Sequence, residues 1–173
     1  MNEVQRAKII LKKLNKIYPK TPIPLKHRNK FTLLISVLLS AQTTDVNVNN
    51  VTKNIYPKYN KPKHFVKLGR KKIERLIKSI GIFRVKAKSV YLLSKQLIKK
   101  HKGKVPETFE ELEKLPGVGH KTASVVMSQG FGHSAFPVDT HIHRLAQRWG
   151  LTNGKNVIQT EYDLKKIFPM STW

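Results

Sequence analysis

The sequence predicts an all-α protein. Apolar residues recur at intervals of three and four along most of the 173-residue chain, which is the spacing of one helix face. No stretch alternates apolar and polar residues for long enough to indicate a β-strand. Glycines and prolines interrupt the apolar pattern repeatedly, so we expect about ten short helices.

The first predicted helix covers residues 2–18. Its apolar face is formed by five residues at helical spacing, namely Val4, Ala7, Leu11, Leu14 and Tyr18. A proline-rich linker over 19–24 follows and marks a candidate domain boundary. Residues 30–41 are almost wholly apolar over a run longer than a typical strand, so we expect a buried central helix there.

Turn residues divide the middle of the chain into further helices. We expect the next helix to begin at Thr44 or Asp45, because both side chains are suitable N-caps. Three more are expected at 62–68, 70–80 and 84–101. Prolines and glycines stand between several of these segments and prevent them from joining.

The segment Leu115-Pro116-Gly117-Val118-Gly119-His120-Lys121-Thr122-Ala123 predicts a sharp turn between two helices. Thr108 and Glu111 form a capping box for the first helix, which Pro116 and Gly117 end. Gly119 opens the second helix. Without a Cβ at either glycine, the backbone of another molecule can approach closely, and a helix N-terminus suits a phosphate. A plain turn is the alternative for this spacing.

Two helices are expected near the end of the sequence. Asp139 is a suitable cap for a helix over 140–149, and Asn156 for one over 157–168. Gly150 ends the first of them.

Charge and composition narrow the function classes. Lys and Arg total 34 against 10 acidic residues, a net charge of +24, which favours a polyanionic partner and above all nucleic acid. The sequence has no cysteine, so its own residues form no disulfide or thiolate metal site. The longest apolar run, 33–41, is too short to span a bilayer. With no visible signal peptide, we expect a cytoplasmic protein without a membrane partner.

Four blocks of the sequence together resemble the helix-hairpin-helix DNA glycosylases, in particular their endonuclease III branch. They are the hairpin segment, Leu38–Asp45, Ile80–Phe83 and Phe136–Ile142. The resemblance runs from residue 1 to about 168. It implies a six-helix domain over 22–133, with the helix-hairpin-helix motif at about 108–130. It also implies a second helical domain from 1–21 and 134–173, with a DNA cleft between the two.

The resemblance implies that Lys121 and Asp139 are catalytic. In the family, a lysine at this position attacks sugar C1′ and forms a Schiff base, and β-elimination then cuts the strand. A nucleophilic lysine needs its charge disfavoured, for example by a helix N-terminus or by nearby cations. The aspartate stabilises positive charge on the sugar and assists proton transfer. The alternatives are a phosphate-binding or solvated Lys121 and a plain N-cap at Asp139.

The resemblance also implies five DNA-binding residues: Gln42, Ile82, Gly117, Gly119 and His141. The damaged base must leave the stack, and the family fills the gap with a glutamine at the position of Gln42 and an apolar wedge at that of Ile82. The hairpin glycines and His141 are candidate phosphate contacts. An ordinary loop glutamine, a buried isoleucine and a structural histidine are the alternatives.

These residues together imply a base-excision repair enzyme, both a DNA N-glycosylase and an AP lyase. Its expected substrates are oxidised pyrimidines and abasic sites in double-stranded DNA, and we expect a monomer associated with a bacterial nucleoid. One alternative is a non-catalytic or decayed helix-hairpin-helix DNA-binding protein. The other is a monofunctional enzyme similar to adenine glycosylases, but these lack a lysine at the position of Lys121.

The sequence departs from the family at its C-terminal end. The endonuclease III branch usually continues into a loop whose four cysteines bind a [4Fe-4S] cluster, whereas this sequence ends at Trp173 and contains no cysteine. We therefore expect no cofactor, and a second domain that is shortened and loosely held.

Overall fold

The computed structural model describes all 173 residues, Met1–Trp173, and helices are its only regular structure. This confirms the predicted all-α class. Ten α-helices and a short 3-10 helix at Met170–Thr172 follow one another: α1 Glu3–Ile17, α2 Lys30–Ser40, α3 Asp45–Thr52, α4 Pro62–Leu68, α5 Arg70–Leu76, α6 Phe83–His101, α7 Phe109–Glu113, α8 His120–Phe131, α9 Thr140–Arg148 and α10 Val157–Ile167. None of these helices combines the length and the apolar character needed to cross a membrane.

The chain folds into two compact units. Ile23–Gly132 forms one, here called the central unit, and Met1–Pro22 together with His133–Trp173 forms the other, the terminal unit. Each unit has its own apolar core.

The core of the central unit is built around α2. All nine residues of Phe31–Leu39 are buried, and α2 packs against α3, α6 and α8. The buried polar side chains of α2 are hydrogen-bonded: Ser36 Oγ lies 2.6 Å from Tyr56 Oη, which donates to the Thr32 carbonyl at 3.1 Å, and Thr32 Oγ1 donates to the Asn29 carbonyl at 2.9 Å. Burial raises the pKa of Tyr56, which further favours the protonated hydroxyl that donates to the Thr32 carbonyl.

Several helix ends differ from the predicted ones. The helix predicted over 70–80 ends at Leu76, although Ile77 and Ile80 remain buried beyond it. The apolar pattern therefore predicted correctly which residues are buried, but it did not predict where the helix ends. Thr44 caps α3 by accepting from the Asn47 amide, whereas Asp45 is the first helical residue, where a negative side chain is favourable.

The predicted capping box of α7 is only half formed. Thr108 Oγ1 accepts from the Glu111 amide at 3.3 Å, as expected. The Glu111 carboxylate, however, accepts from the Thr108 hydroxyl at 3.1 Å. The side chain of Glu111 thus supports the capping hydroxyl.

The terminal unit has a much smaller core, formed by Ala7, Val138, Ala146, Leu151 and Leu164. The predicted helix is present as α1, but only Ala7 of its apolar face is buried; Leu11 is half-buried, and Val4, Leu14 and Tyr18 are exposed. A helix that packs along a narrow stripe buries little more than that stripe. An apolar groove of about 310 Å³ lies against α1, α9 and α10, lined by Leu11, Leu14, Ile142, Leu145 and Trp149 among others.

Candidate functional site

The hairpin between α7 and α8 is anchored in the central core. Leu112, Leu115 and Val118 are all buried, and the Val118 amide donates to the Leu115 carbonyl at 3.0 Å. Gly117 has a φ of +81°, a backbone conformation that glycine adopts without strain. The sequence thus correctly predicted where the chain turns.

The two hairpin glycines have different surroundings. A Cβ at Gly117 would lie 2.7 Å from Ser89 of α6 and 3.2 Å from Leu38 of α2, so the missing Cβ gives room to this chain's own helices. A Cβ at Gly119 would meet nothing within 4 Å. Packing within this chain and the backbone φ therefore require glycine at 117 but not at 119.

A brace between the two hairpin helices was not predicted from the sequence. His120 Nδ1 lies 2.7 Å from the Glu113 carboxylate, and the His120 ring stacks on Phe109 with 5.8 Å between centroids. Both contacts join α7 to the residue next to Lys121. No single sequence pattern indicates this brace, because its members lie on both sides of the turn.

Lys121 lies in the first turn of α8 and is exposed. The N-cap of this helix is Gly119, so no side chain caps its first turn. An N-terminal turn without a side-chain cap is suited to an anion such as a phosphate.

Gln42 and Ile82 share an unusual backbone conformation. Their φ angles are +56° and +49°, and both side chains are exposed, Ile82 by 52%. A β-branched residue in the left-handed region is rare and costs roughly 1–3 kcal/mol. Such strain is found mainly at functional positions. The exposure of Ile82 also excludes the alternative of a buried isoleucine.

The loops that carry these two side chains lie against each other. A Cβ at Gly81 would be 3.1 Å from the Gln42 carbonyl oxygen. Asn47 Nδ2 donates to the Ser79 carbonyl at 3.0 Å and to Thr43 Oγ1 at 3.2 Å, which joins one loop to the other. The structure thus brings Gln42 and Ile82 into one region.

Lys86 is buried beneath the same loops and was missed by the sequence analysis. Its Nζ donates to the Leu39 carbonyl at 2.8 Å and to that of Ala41, and its side chain is almost fully covered. Burial lowers the pKa of this amine. A sequence signal existed, because Lys86 shares a helical stripe with Val90, Leu93 and Leu97.

Asp139 lies in the terminal unit and caps α9. Its Oδ1 accepts from the His141 amide at 3.0 Å and the Ile142 amide at 2.9 Å, so the carboxylate is held in a fixed position. His141 itself is exposed, and its Nδ1 lies 3.5 Å from the Arg144 guanidinium.

Comparison with known proteins agrees with the helical fold and the hairpin. The family model described as HhH-GPD superfamily base excision DNA repair protein matches residues 35–170. The chain belongs to this superfamily of base excision DNA repair proteins.

Individual relatives carry the comparison further. The chain is 40% identical over 174 residues to endonuclease III of Bacillus subtilis (strain 168), covering 100% of this chain and 80% of the relative. It is 43% identical over 169 residues to endonuclease III of Escherichia coli (strain K12), covering 98% and 80%. A solved structure of a trapped endonuclease III–DNA covalent intermediate matches with a TM-score of 0.96 and 42% identity, covering 100% and 82%. The resemblance predicted from the four sequence blocks is confirmed.

The residues of this chain do not fit the iron–sulfur cluster that the resemblance implies. Cluster irons are held by cysteine thiolates, and the sequence contains none. Nor do three or more histidine, aspartate or glutamate side chains come together where they would hold a metal ion.

Proposed function

We propose that this protein is a base-excision repair enzyme similar to endonuclease III, acting as a DNA N-glycosylase and as an AP lyase. The observation that carries the proposal is the position of Lys121, exposed in the first turn of α8 beside the hairpin. A relative with the same fold and 42% identity forms a covalent intermediate with DNA. A lysine amine beside a phosphate-binding turn is well suited to such a reaction.

The proposed reaction starts with attack by Lys121. Its Nζ forms a bond to sugar C1′ while the bond from C1′ to the base breaks, and the base leaves with that electron pair and takes up a proton. The adduct rearranges to a Schiff base by opening the sugar ring. Loss of a proton from C2′ then expels the 3′ phosphate, and water finally releases the amine.

Asp139 is proposed to assist the first step. Its carboxylate stabilises positive charge that develops on the sugar and accepts a proton from the attacking amine. Two backbone amides hold its Oδ1, so the carboxylate has a fixed orientation, which supports this role. Capping and catalysis are therefore compatible in one side chain.

Double-stranded DNA with damaged bases or abasic sites is the proposed partner. The N-terminus of α8 and the hairpin around Gly117 and Gly119 bind a phosphate, and the net charge of +24 attracts the backbone. Gln42 and Ile82 fill the space left by the extruded base. His141 adds a phosphate contact. We propose that the protein acts as a monomer at the bacterial nucleoid.

Oxidised pyrimidines are the proposed damaged bases, and the chemistry is assigned to side chains of this chain without a cofactor. Every bond change in the scheme above involves an amine, a carboxylate or water. An iron–sulfur cluster has no step in it.

Borohydride trapping on an oligonucleotide with one abasic site tests the proposal. Borohydride reduces the Schiff base, so the unaltered protein should give a stable protein–DNA adduct and, without borohydride, a strand cut 3′ to the site. Lys121→Gln should abolish both while keeping most of the affinity for DNA. Lys99→Gln removes the same charge from an exposed position in the last turn of α6 and should behave like the unaltered protein.

The outcomes separate the candidate functions. Equal adduct and cleavage from Lys121→Gln would overturn the assignment of the nucleophile. Binding of abasic DNA with no adduct from the unaltered protein would instead favour the non-catalytic DNA-binding alternative.

A further inference from the structure

The loop after α2 and the loop before α6 are connected by two side chains that the proposed chemistry does not use. Lys86 donates from its buried Nζ to the carbonyls of Leu39 and Ala41, immediately before Gln42. Its own backbone amide donates to the Ile82 carbonyl at 3.2 Å. One residue is thus bonded to both loops.

Asn47 makes the second connection. Its side-chain amide donates to Ser79 in one loop and to Thr43 in the other. Gly81 permits the close approach between them, since a Cβ there would be 3.1 Å from the Gln42 carbonyl. We call Lys86 and Asn47 the loop clamp.

A buried lysine is an unusual way to end a helix. Lysine is almost never fully buried, and desolvation of its amine is costly unless hydrogen bonds replace water. Carbonyls at a helix C-terminus are good partners for a cation, but an exposed lysine would serve that purpose equally well. The burial of Lys86 instead gives a fixed geometry to the residues immediately before Gln42.

We propose that, before DNA binds, the loop clamp already holds Gln42 and Ile82 in the arrangement that fills the space left by the extruded base. Lys86 is the positioning residue for Gln42. This inference rests on the proposed function, in which Gln42 occupies the gap opposite the unpaired base. Without the clamp, Gln42 is free to leave its left-handed conformation. The apparent affinity for a lesion falls with the fraction of molecules in the competent arrangement.

A duplex that contains a tetrahydrofuran abasic analogue opposite 2-aminopurine tests the proposal, because 2-aminopurine fluorescence reports on stacking at the unpaired base. Lys86→Met removes the donors while keeping the length of the side chain. We expect about tenfold weaker binding to this duplex and loss of the fluorescence change. Affinity for an undamaged duplex should be unchanged.

Two controls separate positioning from a general loss of stability. Leu97→Ala removes a fully buried side chain from the same helix and should lower the melting temperature without altering lesion affinity. In a Gln42→Ala background, Lys86→Met should cost less than about twofold, because residues that act through one another are not additive. If Lys86→Met does not fold, Asn47→Ala, which removes the other half of the loop clamp, is tested by the same measurements.

The failures are distinguishable. If Gln42→Ala binds the lesion duplex as tightly as the unaltered protein, the gap-filling role in the proposed function is overturned. If Gln42→Ala weakens binding but the losses from Lys86→Met and Gln42→Ala multiply independently, the positioning role alone is overturned.

Discussion

Ile82 combines an unfavourable backbone with a largely exposed apolar side chain. Asparagine tolerates the left-handed region far better than a β-branched residue does. We therefore expect Ile82→Asn to raise the free energy of unfolding by about 1 kcal/mol in urea titrations. Strand cleavage at abasic sites should fall at the same time, because the proposed apolar wedge is lost.

The matched control for this change is Val85→Asn. Val85 is also β-branched and 61% exposed, but it lies within α6. Its substitution should alter stability by less than about 0.5 kcal/mol. A less stable Ile82→Asn protein would contradict the assignment of strain to position 82.

Asp163 is a residue whose contribution to stability depends on pH. A hydrogen bond from the Thr152 hydroxyl holds the pKa of the Asp163 carboxyl below its ordinary value. A hydrogen bond from the Gln159 side chain and the charge of Lys166 act in the same direction. A lowered folded-state pKa means that the stabilisation is present above the unfolded pKa of about 3.9 and is lost as the pH falls through the folded value. Asp163→Asn should therefore lower the melting temperature at pH 7.

The pH series decides this prediction. The difference in melting temperature between Asp163→Asn and the unaltered protein should shrink steadily below about pH 4. A difference that is the same at pH 7 and near pH 3 would show that the lost charge is irrelevant.

At the scale of elements, the α7–α8 hairpin depends on the missing Cβ of Gly117. Gly117→Ala should destabilise the protein by about 1–3 kcal/mol, because the new methyl group meets Ser89 and the φ of +81° becomes strained. Chemical denaturation measures the loss. Gly119→Ala has open space and a φ of −97°, so its stability should hardly change.

A double variant separates the two causes. In a Ser89→Gly background the 2.7 Å contact is removed, but the strained φ and the 3.2 Å contact with Leu38 remain, so Gly117→Ala should cost less there. An unchanged cost would show that the contact with Ser89 contributes nothing and would assign the effect to the backbone conformation and to Leu38.

The same elements explain what the sequence could predict. Helix caps are local, so the positions of Asn156, Asp139 and Gly119 indicated the starts of α10, α9 and α8 correctly. The end of α5 and the exposure of α1 depend on packing partners distant in sequence, which a local pattern does not contain.

In the candidate site too, local sequence patterns predicted some residues, and contacts between distant parts of the chain were missed. Lys121 and Gln42 were identified through sequence blocks, and their catalytic and DNA-filling roles stay predictions. Lys86 and Asn47 were missed because their partners are backbone carbonyls more than thirty residues away along the chain, apart from the nearby Thr43. The left-handed backbone conformation of Ile82 was not predicted either, because no local sequence rule places isoleucine in that conformation.

For the whole molecule, the unequal cores predict unequal local stability. The terminal core consists of five buried residues beside an open apolar groove, whereas the central core is several times larger. Small cores offset less chain entropy. Hydrogen exchange followed by mass spectrometry should therefore be fast in 1–18 and 157–173 and slow in 30–41 and 120–130. Equal protection in all four segments would contradict this.

The division of the terminal unit between the two ends of the chain has a consequence for synthesis on the ribosome. Met1–Pro22 emerges before its partners in His133–Trp173, which follow only after the 110 residues of the central unit. At a synthesis rate of about 5–20 residues per second, roughly 5–20 s pass between the synthesis of α1 and that of its partners. During that time the central unit has all of its own residues and is able to fold. Helix α1 is thus made before the central unit but packs against its partners only after that unit has been synthesised.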